Sequence, residues 1–429
     1  MFWTTLIGVM VFCASTGVAL GAALGLTGLV LLHVYSNGAT SLAVDAIWSV
    51  FNSFTLSAVP LFILLGEILL HSGVSNRAYS AFAPLFRRVP GGLLHTNIAV
   101  CTLFGAVSGS SMSTAAAVGS VAYPEMVRRG YDKDVIVGSL AGGGTLGLLI
   151  PPSLSFLIYG ALTETSIGRL FMAGILPGLM IGLMFMGYIL VKALRHPQIA
   201  PRDESGLPLR DILRGFSQVW PLLILIVAVI GSIIGGIATP TEAAGLGVVL
   251  AALISFLWGD LTLRKLLDAI FHSTQLFAAI GFVVLGATIL AQSVSILGIP
   301  QQILNTVASS GLGQYSILLI VVLIYLLLGC FFDGLSLMIM TLPVVFPLLT
   351  GLGYDPVWVG VLITIVIEIG QVTPPVGLNL SVLSSLTKNE ISLGRVATAT
   401  VPYWLIHLFA LGVLTAFPVI ALYLPNLLF

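Results

Sequence analysis

The chain has 429 residues, of which 58% are hydrophobic and 7% are charged; an ordinary soluble domain has roughly 25% charged residues. Its 16 basic and 16 acidic residues cancel, so no basic face for nucleic acid is expected. A soluble fold cannot hide so much apolar surface, whereas a lipid bilayer accepts it. The composition therefore predicts an all-α polytopic membrane protein and excludes a soluble globular domain.

Apolar runs of about 20 residues predict membrane spans, because a helix of that length crosses the hydrocarbon core. In the first half they predict two short spans at 2–16 and 17–35, an outer arm at 39–53 and a span at 54–72. A re-entrant helical hairpin at 92–127, a broken span at 134–163 and a closing span at 168–192 follow. These elements form three groups: a scaffold and arm at 1–72, transport elements with the first hairpin at 92–163, and a span at 168–191.

The one clearly polar stretch, 192–214, is predicted as a cytoplasmic linker between two halves, 1–191 and 215–429. The second half is predicted to repeat the first with reversed polarity, through segments at 215–237, 241–258, 260–271, 273–296, 314–350, 356–385 and 398–424. Its scaffold and arm cover 215–271, and its transport elements with the second hairpin cover 314–385. The prediction is thus about ten full spans, two re-entrant hairpins and two broken helices.

Two motifs with the same internal spacing indicate that the halves are inverted repeats. In the first half Gly-Tyr-Asp at 130–132 leads to Gly147 and a proline pair, and in the second Gly-Tyr-Asp at 353–355 leads to Gly370 and another pair. Lys and Arg concentrate in cytoplasmic loops. The inverted threading leaves Arg169 as the only basic residue outside, so both termini are predicted on the outer, periplasmic face.

Four interruptions fall inside the predicted membrane region. Two are the proline pairs Pro151-Pro152 and Pro374-Pro375, since a proline removes a backbone donor and clashes with the preceding turn. The other two are the hairpin tips at 108–114 and 333–336. Carbonyls freed at such breaks suit a hard cation such as Na⁺, and freed helix N-termini suit anions. Paired breaks in two inverted halves indicate a transporter's binding site.

Five motifs give the sequence a resemblance to a known family: GAVSGSS at 105–111, YPEMVRRGY at 123–131, GLLIPPS at 147–153, GIATPTEAA at 236–244 and QVTPPVGLN at 371–379. Together they resemble the large membrane subunit of a tripartite ATP-independent periplasmic (TRAP) transporter over essentially the whole chain. The resemblance implies an elevator-type, Na⁺-coupled importer of a small carboxylate in the bacterial inner membrane. It also implies two or more Na⁺ ions, no organic cofactor, a separate four-helix membrane subunit and a periplasmic substrate-binding protein.

The resemblance also implies two Na⁺ sites, one at each hairpin tip and its neighbouring break. Their expected residues are Ser108, Ser110, Gly147 and Ile150 for the first, and Asp333, Gly334, Gly370 and Thr373 for the second. The solute is expected between the sites, in contact with Ser111, Ser153, Thr373 and Asn379.

Several alternatives remain open at this point. The serines at 108–113 also suit simple close helix packing, and Asp333 also suits a helix N-cap. Glu368, inside an apolar run, is either functional or neutralised by an unidentified neighbour. The nearest rival function is a stand-alone Na⁺/carboxylate symporter. A channel is a second, and an intramembrane enzyme is a third that lacks the His-Glu-x-x-His and Gly-x-Ser-x-Gly motifs.

Overall fold

A computed structural model of the chain describes residues 2–201, 209–309, 311–388 and 390–429. Throughout these ranges the regular elements are helices, which confirms the predicted all-α class. Part of the predicted linker, 202–208, lies outside the described residues. The preceding linker residues finish a long helix at Arg195 and form a short 3₁₀ turn at Pro197–Ile199.

The first half contains ten α-helices among its described residues. They are α1 (Phe2–Ser15), α2 (Leu20–Tyr35), α3 (Ser41–Phe51), α4 (Ala58–His71), α5 (Val74–Phe86), α6 (Leu93–Ser108), α7 (Ser111–Arg128), α8 (Lys133–Leu149), α9 (Leu154–Thr163) and α10 (Ile167–Arg195). Helices α6 and α7 correspond to the predicted first hairpin. Helices α8 and α9 lie on either side of the first proline pair.

The described residues of the second half contain another ten helices. They are α11 (Leu209–Ile234), α12 (Pro240–Leu257), α13 (Leu263–Ile296), α14 (Ile299–Ser309), α15 (Gln314–Gly329), α16 (Gly334–Gly351), α17 (Pro356–Gln371), α18 (Leu378–Leu386), α19 (Leu393–Ala416) and α20 (Val419–Leu428). Helices α15 and α16 match the predicted second hairpin. Helices α17 and α18 lie on either side of the second proline pair.

The number of full-length spans is smaller than the predicted ten. Among the described residues, 6 helices are long and apolar enough to cross a membrane, or up to 7 if the bent pair α4–α5 counts as one span. Helices α1 and α2 have 14 and 16 residues, short of the roughly 20 that a perpendicular span needs. The segment 334–351, predicted as one side of a re-entrant hairpin, reaches the length of a span.

Three element boundaries differ from the predicted ones. The arm at 260–271 and the span at 273–296 form one continuous helix, α13, because no proline interrupts it after the Thr262 cap. The segment after α4, which lies between the predicted span at 54–72 and the predicted hairpin at 92–127, forms α5 at a bend of 68°. The predicted last span ends early at Ala416, since the residue before Pro418 is disfavoured in helical conformation.

Helices α8 and α17 form the centre of the fold. Each is apolar around its whole circumference and buried along nearly all its length, as expected of a helix enclosed by protein on every side. The first helix of each hairpin crosses one of them at a pair of glycines. A Cβ on Gly105 would lie 2.6 Å from Cα of Gly147, and one on Gly370 would lie 2.6 Å from Cα of Gly329. These glycines let the backbones touch just before each break.

The crossing at Gly370 gives the first prediction. In Gly370→Ala the new methyl group meets the backbone of Gly329, which has no side chain to move aside, so the variant should lose about 1–3 kcal/mol of stability. Thermal unfolding of the detergent-solubilised protein measures the change. Gly412→Ala in α19 is the control, because its methyl group enters open space and should be neutral or stabilising. Equal effects of both changes would contradict the close crossing.

Candidate functional site

The tip of the first hairpin is a tight turn stabilised by hydroxyl groups. Gly109 ends α6 in the left-handed conformation at φ 60°, and Ser110 caps α7 by accepting the backbone N–H of Ser113. Thr114 Oγ1 lies 2.7 Å from Ser108 Oγ and donates to the carbonyl of Ser110 at 2.7 Å. The tip therefore places neutral oxygens around the N-terminus of α7.

The tip of the second hairpin has a carboxylate in the equivalent place. Asp333 caps α16 and accepts the backbone N–H groups of Leu335 at 3.0 Å and Ser336 at 3.3 Å. The N-cap role considered for Asp333 is thus present in the structure. A cation-binding role for its remaining lone pairs is compatible with the cap and stays a prediction.

The first break is enclosed and internally hydrogen-bonded. Pro151-Pro152 is a cis peptide, after which Ser153 caps α9. The carbonyl of Leu148, freed at the end of α8, accepts hydrogen bonds from the hydroxyls of Ser153 and Ser155. Every residue from 147 to 153 is buried. The carbonyl of Leu148 at the end of α8 is thus paired with hydroxyls of the segment that follows the break.

The second break is more open and is tied to the second hairpin. Pro374-Pro375 is again a cis peptide, but both prolines are exposed. Thr373 Oγ1 donates to the carbonyl of Ile369 at 2.5 Å. The backbone N–H of Val376 donates to the carbonyl of Cys330 at 3.2 Å, so the break and the hairpin tip share a hydrogen bond.

The structure brings Ser108, Ser110 and Gly147 of the first predicted Na⁺ set close together, and in the second set it places Gly334 beside Gln371, the residue after Gly370. A Cβ on Gly147 would lie 2.7 Å from Thr114 Oγ1 and 3.0 Å from the carbonyl oxygen of Ser110, so the first tip touches the first break. Gly334 at the second tip contacts Gln371, the last residue of α17. The side chain of Ile150 packs against Gly178 of α10 rather than toward a tip, which leaves its carbonyl as its possible ligand group.

Both hairpin tips line one cavity of about 280 Å³. Three predicted residues contribute to it: Ser108, Ser110 and Asp333. The opposite wall comes from α4 and α13, which the sequence reasoning did not assign to the site. These missed residues are Ile63, Gly66, Glu67, Leu276, Ala279, Ile280 and Val283. The signal that would have found Glu67 is its position as a lone carboxylate inside an apolar helix.

The four residues expected at the solute divide into a pair and two separate residues. Asn379 Nδ2 donates to Ser111 Oγ at 2.6 Å, a buried bond that joins the first hairpin to α18. Ser153 bonds within the first break, and Thr373 bonds to its own helix. None of the four is among the residues that line the 280 Å³ cavity.

Glu368 has a partner that the sequence did not reveal. Its carboxylate lies 3.4 Å from Nε2 of His407 on α19, and both side chains are fully buried. Thr145 Oγ1 of α8 lies 3.2 Å from the same nitrogen. His407 therefore joins α8 and α17 to α19 in the core, and neither His407 nor Glu368 lines the cavity between the tips.

The chain matches, over residues 6–420, the model of the family described as "Tripartite ATP-independent periplasmic transporter, DctM component". The chain belongs to this family. It is the large permease component of a TRAP transporter, and the predicted membership is confirmed.

Two curated relatives align with this permease along nearly its whole length. The C4-dicarboxylate TRAP transporter large permease protein DctM of Pseudomonas aeruginosa is 36% identical over 408 residues, 94% of this chain and 93% of the relative. The sialic acid TRAP transporter large permease protein SiaM of Vibrio cholerae is 29% identical over 414 residues, covering 96% and 95%. Their names state different solutes, so membership in the family does not identify the solute here.

A solved structure supports the fold of the permease. The YdaH transporter of Alcanivorax borkumensis superposes with a TM-score of 0.64, at 15% identity, over 90% of this chain and 91% of that one. At this identity the likeness concerns the fold alone.

The Ser111–Asn379 bond gives the second prediction. Ser111→Ala leaves the buried amide of Asn379 without this acceptor and should cost about 1–3 kcal/mol. The midpoint of thermal unfolding should fall accordingly. Ser49→Ala on α3 is the control, since that exposed hydroxyl bonds only to a carbonyl of its own helix. An unchanged midpoint for Ser111→Ala would contradict a structural role for the bond.

Proposed function

We propose that this permease imports a small organic anion with a carboxylate group, coupled to Na⁺, across the bacterial cytoplasmic membrane. The observation that most supports the proposal is the single cavity lined by both hairpin tips. Interrupted helices at membrane depth bring helix N-termini and free carbonyls into one place, which is what an anion and its coupling cations require.

The two tips differ in charge, and this suggests that the carboxylate of the solute lies nearer the first tip than the second. At the first tip, Ser110 caps α7 with a neutral hydroxyl, so the positive end of the helix dipole is available to a solute carboxylate. At the second tip, the carboxylate of Asp333 already takes the first N–H groups of α16. Its remaining lone pairs suit Na⁺ better than an anion.

We place one Na⁺ site at each tip and its adjacent break. The residues proposed are Ser108, Ser110, Gly147 and Ile150 for the first, and Asp333, Gly334, Gly370 and Thr373 for the second. The solute is proposed between the two sites, in the cavity that Ser108, Ser110 and Asp333 line. Ser111, Ser153, Thr373 and Asn379 lie outside that lining, so the cavity does not support their expected contact with the solute. The contacts of Gly147 with the first tip and of Val376 with the second support this arrangement.

The mechanism proposed is an elevator between inverted repeats. The two hairpins and two broken helices form a block that moves against a scaffold containing α2, α4 and α13. Close packing within the scaffold supports its rigidity: a Cβ on Gly28 of α2 would lie 2.7 Å from the backbone nitrogen of Leu290 on α13. Inward movement of net positive charge is worth about 2.3 kcal/mol per charge per 100 mV, so membrane voltage also drives uptake.

The partners proposed are a small four-helix membrane subunit and a periplasmic binding protein that delivers the solute. Membership in a tripartite family supports both. The exposed apolar side chains of α12 and α13, such as Phe256, Leu257 and Phe271, suit lipid or the small subunit. Both termini are proposed on the periplasmic side. A stand-alone symporter is less favoured, because the family is named for a three-part system.

Uptake into liposomes tests the function. The permease and its small subunit should accumulate a labelled carboxylate when a Na⁺ gradient and the binding protein are both present, and omission of either should abolish accumulation. C4-dicarboxylates and sialic acid are the first solutes to test, because the names of the two relatives above include these solutes. Uptake without the binding protein would contradict the tripartite mechanism.

The proposed Na⁺ ligand gives a third prediction. Asp333→Asn keeps an N-cap for α16 but removes a negative charge, so half-maximal uptake should need about tenfold more Na⁺. Initial rates across a Na⁺ series measure the shift. Asp45→Asn on the exposed face of α3 is the matched control and should leave the Na⁺ dependence unchanged. An unshifted Asp333→Asn profile would exclude Asp333 as a ligand.

A further inference from the structure

The cavity between the hairpin tips has an acidic wall. Its lining includes two carboxylates, Glu67 and Asp333, and no Lys or Arg side chain among the residues that the structure describes there. A second carboxylate of the solute near Glu67 would meet like charge, because Glu67 is not among the residues proposed to bind Na⁺. The cavity therefore suits a solute with different chemistry at its two ends.

The two carboxylates, Asp333 and Glu67, differ in their hydrogen-bond and ion-pair partners. Both oxygens of Asp333 accept backbone N–H groups at the start of α16. Glu67 is only 7% exposed yet lines the cavity, and its single ion-pair partner among the described residues is His71, with 3.4 Å between Oε2 and Nε2. Glu67 is thus a largely buried carboxylate at the cavity, with Oε2 beside His71.

His71 lies beside one of the two carboxylate oxygens of Glu67, Oε2. His71 does not line the cavity, and its ring stacks on His272 with 5.3 Å between ring centroids. A proton between the two groups lies either on His71 or on Oε2 pointing at His71. In both cases Oε1 of Glu67 remains an acceptor, and an acceptor in a buried wall is costly to leave unpaired when a ligand displaces water.

We propose that Glu67 determines solute specificity by accepting a hydrogen bond from a hydroxyl or ammonium group of the solute. This inference rests on the proposed function and narrows its solute class to hydroxy acids and amino acids, as opposed to acids without a donor. The carboxylate of the solute faces the N-terminus of α7 at the first tip, and the donor faces Glu67 on α4. A cavity of about 280 Å³ is near the lower limit of ligand pockets, which suits a small acid.

The test is direct binding to the permease with its small subunit in lipid nanodiscs, in Na⁺ buffer. The probes are monocarboxylic acids that differ by one donor group, namely lactate and propionate, 3-hydroxybutyrate and butyrate, and alanine and propionate. Wild type should bind a donor-bearing acid at least about tenfold more tightly than its partner. Glu67→Gln should reduce that preference to less than about threefold, and Glu67→Leu should abolish it. Glu164→Gln, at an exposed position outside the cavity, is the matched control and should keep it.

The outcomes separate this inference from the proposed function. If no acid binds to the wild type in Na⁺, the proposed function fails and the inference fails with it. If acids bind in a Na⁺-dependent way but without preference for a donor, or with a preference that both Glu67 variants retain, the role of Glu67 is wrong and the transport function stands. Loss of the preference in both variants, with Glu164→Gln unchanged, supports the proposal.

Discussion

Backbone N–H and C=O groups that leave a helix inside the hydrocarbon core need partners within the protein, because lipid offers none. Four helix interruptions in this permease meet that requirement through neighbouring elements. Hydroxyls of Ser153 and Ser155 bond to the end of α8, and Thr400 of α19 bonds to the carbonyl of Val372. The arrangement of hairpins around broken helices fits this need, since the first break is buried and the second is hydrogen-bonded to the second hairpin and to α19.

The same requirement links the fold to transport. At the second break, the backbone N–H of Val376 donates a hydrogen bond to the carbonyl of Cys330, beside the second hairpin tip. The two prolines of this break are exposed. The first break is fully buried, and the hydroxyls of Ser153 and Ser155 bond to the carbonyl of Leu148 at the end of α8. The second tip and break thus form the more accessible pair, and ion or solute binding there would change hydrogen bonds that belong to two elements at once.

The sequence predicted the interruptions well, because proline pairs and Gly-Ser turns have direct backbone consequences. It placed both hairpins and both breaks, and Ser108, Ser110 and Asp333 do meet at one cavity. It did not predict the wall opposite the tips, since Glu67 looks like any isolated acid until α4 and α13 are packed. The continuity of α13 was also missed, because polar residues such as Asp268 and His272 suggest a boundary but do not break a helix.

In the elevator mechanism that we propose, both hairpin tips move together against α4 and α13. In a background without the native cysteines, a bifunctional maleimide would link Ala279→Cys on α13 to Ser336→Cys at the second tip, both at the cavity. The account predicts that this crosslink abolishes Na⁺-driven uptake. The same reagent across Ser57→Cys, at the start of α4, and Thr241→Cys on α12, whose native hydroxyls lie 3.4 Å apart outside the cavity, should leave uptake intact. Full uptake with the tip linked to α13 would contradict the account.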